Sequence, residues 1–213
     1  MSGFNPVQSL LARVRTWRNL RRYRRKKRRL LEIGPGAQRI PGFETLNIAF
    51  SGDVDYVGDA ARPLPFRDGE FEVVYASHIL EHIPWYQTVD ALREWARILQ
   101  PGGRLEIWVP DGEKICRAFL EGESGGRSPL IDDAWPKFNP NHDPCLWVAG
   151  RLFTYGDGTG RLDHPNWHRA IFTERLLKQA LVQAGLRDPV RLTSKDVRGY
   201  DHGWINLGVR AFR

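Results

Sequence analysis

A chain of 213 residues, 41% hydrophobic and 27% charged, is long enough for one sizeable α/β core and too evenly mixed for a disordered or fibrous class. Its two cysteines, Cys116 and Cys145, have neither metal-ligand nor redox spacing, and no apolar run is long enough to span a bilayer or serve as a signal peptide, so the expected location is the cytoplasm. The net charge of +7 is lopsided: eleven of the 32 basic residues and none of the 25 acidic ones lie within residues 1–30, leaving a mildly acidic body behind a strongly basic head.

In that head Val7, Leu10, Leu11, Val14 and Trp17 recur at helical spacing, which predicts an amphipathic helix over residues 6–22 with an apolar stripe beside arginines. Residues 1–28 therefore read as a basic extension to a domain over 29–213. Three roles fit it. Residues 6–29 would touch the anionic inner face of a membrane peripherally, or bind nucleic acid unspecifically, the less favoured reading, or dock on the domain itself or on a second subunit of a homo-oligomer.

Leu30, Leu31 and Ile33 form the short apolar run of a buried parallel strand that stops at Gly34-Pro35-Gly36. Glycine lets such a turn take positive φ and bring backbone N–H groups against a ligand, with Glu32 placed to meet a polar or cationic part of it. Strands are expected at Phe43–Ile48, Val54–Val57 and Phe71–Ala76, with Asn47 and Asp59 at or just past strand ends. Ten residues between Gly36 and Asn47 leave room only for a loop or a single turn as the first crossover. Pro84–Leu99 reads as a helix with proline at its start, Gln100-Pro101-Gly102-Gly103 ends it, and Arg104–Val109 is the next strand, closed by Pro110-Asp111.

Glu113–Leu120 continues as helix. The pattern then loosens into a Gly- and Pro-punctuated stretch carrying Trp135, Phe138, Trp147, Phe153 and Tyr155. This insertion, over about residues 112–170, is expected either to lie over the ligand edge as a lid or to pack a secondary core. Thr173 caps a helix that runs to about Ala184 before Gly185, and Pro189–Leu192 with Trp204–Phe212 complete the sheet as an antiparallel pair. The expected fold is α/β: a Rossmann-like, doubly wound, mostly parallel seven-stranded sheet with an antiparallel final strand and a basic N-terminal helix. Its polar candidates fall at the carboxyl ends of strands, where open α/β sheets bind ligands.

Four stretches in order, Leu-Glu-Ile-Gly-Pro-Gly (31–36), Gly-Asp-Ala-Ala-Arg-Pro-Leu-Pro-Phe (58–66), Phe-Glu-Val-Val-Tyr-Ala-Ser-His-Ile-Leu-Glu-His (71–82) and Leu-Gln-Pro-Gly-Gly-Arg-Leu (99–105), resemble the class I S-adenosylmethionine-dependent methyltransferases of the type 11 group. Within that group the likeness is to the small branch encoded among bacterial surface-polysaccharide genes. Gln38 stands where many members have a third glycine, and Asn47 where they have an acid. The resemblance implies S-adenosyl-L-methionine as cofactor, with Glu32, Gly34, Pro35 and Gly36 around its methionine part, Asn47 at the ribose, Asp59 and Ala60 at the adenine, and Ala76, Ser77 and His78 near the sulfonium. It further implies a glycan or small-molecule methyl acceptor, foremost a hydroxyl of a glycan or lipid-linked sugar in polysaccharide biosynthesis. A small-molecule or lipid methyltransferase and a non-catalytic cofactor-binding partner are the alternatives.

For a hydroxyl acceptor a histidine is the natural base. His168 and His164, in the polar segment Asp163–Arg169, lead, followed by His78; Asp111, Asp163 and Arg169 are candidate substrate-binding groups. His78-Ile79-Leu80-Glu81-His82 also matches the His-x-x-Glu-His zinc signature. That signature needs a continuous helix and a further downstream ligand, whereas this run follows a strand and meets Pro84, so no metal is expected.

Overall fold

Side chains alternate along each strand, and the two sets define two faces of one sheet. The computed structural model describes residues 6–36, 39–126, 131 and 138–213. Its strands are β1 (Leu30–Ile33), β2 (Glu44–Asn47), β3 (Tyr56–Val57), β4 (Phe71–Ser77), β5 (Leu99–Pro110), β6 (Arg187–Arg191) and β7 (Asn206–Phe212), in the order β3-β2-β1-β4-β5-β7-β6. Strands β1 to β5 pair in parallel, and β7 runs antiparallel to both β5 and β6. The chain begins at the centre, winds out to β3, then returns to β4 and winds to the other edge. The order reverses between β1 and β4, which places the ligand crevice at their carboxyl ends.

Leu31, Ile33, Val74, Ala76, Leu105, Ile107, Leu207 and Val209 bury one face beneath α2 (Thr88–Arg97) and α5 (Glu174–Gln183), which contribute Leu92, Trp95, Leu177 and Leu181. On the opposite face Val73, Tyr75 and Trp108 are covered by Ile40, Phe43 and Leu192 from connecting segments. Glu106 lies on this second face, 3% exposed. It accepts from Arg104 Nε (2.7 Å) and Arg198 guanidinium (2.9 Å to Oε1). Between β1 and β2 the described residues contain no helix, as the short spacing dictates.

Several elements differ from expectation. The predicted 84–99 helix opens with a 3-10 turn over Trp85–Gln87 and becomes α-helical at Thr88, while Leu99 already pairs with Phe71 in β5. Residues 100–103 then bulge before Arg104 pairs with Val73. An unanticipated helix, α4 (Pro144–Phe153), lies within the aromatic stretch; Asp143 caps it by accepting from Leu146 N (2.9 Å), with Pro144 in its first turn. It packs on α3 (Gly112–Glu123), and Trp147 joins Ile115, Ala118 and Ile205 in a satellite core. Trp135 and Gln38 lie outside the described residues.

The basic head forms α1 (Pro6–Tyr23), docked along β3. Its contact face is mixed: Leu20 and Tyr23 pack on the main core, while polar groups meet the unpaired backbone of the edge strand. Thr16 Oγ1 accepts from Val57 N (3.0 Å), and Asn19 Nδ2 donates to the Asp55 carbonyl (3.0 Å). Ala12 and Asn19 are buried, whereas Val7, Leu10, Leu11, Val14 and Trp17 are all exposed, Leu10 at 63% and Trp17 at 54%. The apolar stripe thus faces outward, opposite the docked face. Among the described residues no helix is long and apolar enough to cross a membrane.

Candidate functional site

The carboxyl ends of β1, β2 and β3 open into a cavity of about 630 Å³, within the roughly 300–1,000 Å³ of small-molecule sites. At its floor β1 stops on Gly34, with φ of +71°. Only glycine fits there, since an added β carbon would lie 1.9 Å from Ile79 Cδ1. The Gly34 N–H donates to the Leu46 carbonyl (2.8 Å), tying the turn to β2. Asn47 ends β2, its Oδ1 accepting from Ala49 N (3.4 Å) and its carbonyl from Gly58 N (3.0 Å). Asp59 Oδ1 accepts from Ala61 N (2.9 Å), and the Trp95 indole donates to the Ala60 carbonyl (3.0 Å), so this second turn is fixed from both sides.

Gly34, Asn47, Asp59 and Ala60 therefore line one cavity, and Asp163, His164 and Arg169 line its far wall. The remaining candidates stand elsewhere. Glu32 is buried beneath the turn and accepts from Ile40 N (3.4 Å); burial raises its carboxyl above the ordinary value, against the Ile40 bond and Arg39. Pro35 and Gly36 continue the turn away from the lining residues. Ala76 is core. Ser77 hydrogen-bonds to the Tyr75 hydroxyl on the second face of the sheet. Asp111 caps α3 by accepting from Lys114 N (3.3 Å) and lies 3.6 Å from the Arg191 guanidinium, a structural task remote from the cavity.

The histidines divide in the same way. His164 Nδ1 accepts from Asn166 N (3.2 Å), so the neutral ring carries its proton on Nε2 and offers the cavity a donor. His78, at φ +54°, turns away from the cavity. It stacks on His202 with ring centroids 3.7 Å apart, and its Nε2 meets Asn206 Oδ1 at 2.8 Å. Burial lowers His78, but Glu81 and Asn206 outweigh it and hold the ring above its usual value. His168 lies edge-on to His82, centroids 4.9 Å apart, and burial brings it down to about 4.

Residues that sequence reasoning missed complete the wall: Arg62, Ile79, His82, Tyr86 and Asn166. The signal for His82 was its place in the 78–82 run. Behind it, Glu81, His82 and His168 converge because Arg169 N (2.7 Å) and Ala170 N (3.1 Å) both donate to the Glu81 carbonyl, a meeting of distant segments that no local pattern announces.

Residues 31–107, a little over a third of the chain, match the family model described as a methyltransferase domain. The ubiquinone/menaquinone biosynthesis C-methyltransferase UbiE of Pseudomonas savastanoi pv. phaseolicola is 34% identical over 93 residues, 42% of this chain and 36% of that protein. Its namesake from Ectopseudomonas mendocina is 34% identical over 125 residues, 59% of this chain and 42% of that protein. The chain thus spans less than half the length of these curated relatives. A solved SAM dependent methyltransferase from Archaeoglobus fulgidus has the same fold, with a TM-score of 0.50 at 15% identity, covering 97% of this chain and 94% of that one.

Proposed function

We propose that the class I S-adenosylmethionine-dependent methyltransferase domain carried by this chain methylates a hydroxyl of a glycan or lipid-linked sugar. S-adenosyl-L-methionine supplies, when bound, an electrophilic methyl group on a cationic sulfur. The residues present suit it: the cradle at Gly34 admits no side chain, and Asn47 and Asp59 line the same cavity with groups able to meet ribose hydroxyls and a base. Methyl displacement needs in-line positioning more than covalent help. The chain's task is therefore to aim an acceptor oxygen.

The polarity of the far wall is the observation that supports a hydroxylated acceptor. Asp163, His164, Asn166 and Arg169 bring a carboxylate, an imidazole, an amide and a guanidinium to one side of the cavity, a set that matches sugar hydroxyls better than an apolar ring. His164 would donate through Nε2 to hold the acceptor oxygen, and the Asp163 carboxylate in the same lining would take the hydroxyl proton as that oxygen gains the methyl group. The test is transfer of labelled methyl to a panel of lipid-linked sugars, free glycans and quinone precursors. Label on a sugar oxygen is expected; label on a quinone ring carbon, or cofactor binding without transfer to any of them, overturns the proposal.

A separate observation supports peripheral contact with an anionic bilayer. The outward stripe of α1 is apolar and flanked by exposed Arg13, Arg18 and Arg21, the last stacked 3.8 Å over the Trp17 ring. Hydrocarbon between cations matches the boundary of a lipid head-group layer. The full chain is expected to sediment with phosphatidylserine-containing vesicles and not with pure phosphatidylcholine ones, and Leu10→Glu/Trp17→Glu to remain in solution. Equal sedimentation of the two proteins, or self-association in place of vesicle binding, overturns it.

A further inference from the structure

We infer that Glu81, His82 and His168 hold a divalent transition-metal ion, and that zinc is the ion their donor set fits best. A carboxylate oxygen of Glu81 and one ring nitrogen from each histidine lie within 4.8 Å of one another. Glu81 is 1% exposed, and neither of its oxygens has a hydrogen-bond partner among the described residues. A carboxylate so buried needs a cation or a donor beside it.

Neighbouring amide and carbonyl oxygens orient the histidine rings around Glu81. Asn206 gives its amide N–H to Asp201 (2.7 Å), so its Oδ1 faces His78 and takes the proton of Nε2 (2.8 Å). His78 Nδ1 stands 3.4 Å from Glu81 Oε1, longer than a normal hydrogen bond. His82 Nδ1 meets the Trp167 carbonyl (3.3 Å), which can only accept, and His168 hydrogen-bonds to the Arg151 carbonyl in the same sense. In each ring the carbonyl occupies one nitrogen and leaves the other for the cluster. Outer-shell carbonyls orient metal-binding histidines in this way. One buried carboxylate and two imidazole nitrogens thus converge within reach of a single ion, the donor set of a tetrahedral metal site; a Glu81–His78 ion pair without metal is the rival.

The third ligand that the 78–82 run lacks as a zinc motif is His168, brought in by the loop that also carries Asp163, His164 and Arg169. Binding would fasten that loop, and with it the far wall of the cavity, to the turn after β4. The experiment uses the untagged full chain, stripped with chelator, reloaded with zinc chloride and freed of excess by gel filtration. One equivalent retained is expected, with a higher Tm, slower amide exchange across residues 163–170, and loss of binding in Glu81→Gln and in His168→Ala. Should those variants fail to fold, X-ray absorption at the zinc edge of the wild type decides, with two imidazoles and oxygen expected in the shell. No retained zinc, a sulfur ligand, or undiminished binding in both variants overturns the inference.

Discussion

Gly34 and Ile79 meet so closely that the space beside the Gly34 α carbon is already filled: a β carbon there would fall 1.9 Å from Ile79 Cδ1 and 2.2 Å from Cγ1. The turn that ends β1 thus depends both on positive φ and on the side chain that follows β4. Gly34→Ala is expected to weaken S-adenosyl-L-methionine binding at least tenfold by calorimetry and to cost about 1–2 kcal/mol of stability. Adding Ile79→Ala removes the clash but not the φ strain, so it should restore only part of the affinity. Full restoration would show that crowding alone was responsible.

Asn47, proposed to face the ribose, lines the cavity with an uncharged amide whose oxygen also serves Ala49 N. A carboxylate accepts more strongly than an amide. Asn47→Asp should tighten cofactor binding roughly 3- to 10-fold. Unchanged or weaker binding in the calorimeter would detach this residue from the ribose.

Thr16 and Val57 make the bond that seats α1 on the sheet edge. Thr16→Val keeps the shape and deletes the acceptor, leaving a part-buried N–H without it. The expected cost is about 1 kcal/mol, seen as a fall in Tm of about 2–4 °C and faster exchange of the Val57 amide. An unaltered exchange rate would mean that α1 is held by its other contacts.

Glu106 provides a pH test. Burial alone would raise its carboxyl, but Arg198 and Arg104 outweigh burial and hold it below the ordinary carboxylate range. The unfolded chain therefore binds this proton more readily. The stabilisation is complete above the ordinary carboxylate value and drains away as pH falls through the lower, folded one. Tm should hold from neutrality to about pH 5 and then decline. Glu106→Gln should lose about 1–2 kcal/mol at neutral pH, since both arginines are about one-third exposed, and its difference from the wild type should shrink in acid.

The succession of strands along the chain and the ligand edge of the sheet were legible because short-range signals carry them. An apolar triplet running into Gly34, and Asp59 at a turn after β3, need only local chemistry to be recognised. The ends of elements were less so: Leu99 sits in β5 because Phe71 pairs with it, and a partner 28 residues away leaves no mark in its immediate neighbours. Helix α4 was missed although Asp143-Pro144 is a good start signal, since Pro and Gly on either side read as loop. Side-chain direction was the least accessible. Ser77 and His78 fall at the right strand end, yet the sheet's alternation and the φ of +54° at His78 send them away from the cavity. Asp111 likewise serves its own helix. The stripe of α1 faces outward because its partner is an open strand edge, which takes the Thr16 hydroxyl and the Asn19 amide beside Leu20 and Tyr23.

The clasp of Thr16 and Asn19 on β3 has a bearing on how this protein tolerates shortening. Deleting the arginine-rich head would strip the outermost strand, β3, of its cover and leave a bare row of amides and carbonyls, a template for cross-chain pairing. A clipped form should clump by adding strand to strand, and Lys substituted along that margin should keep it dispersed. The head would then act as a built-in guard against self-stacking, whatever else its charges attract.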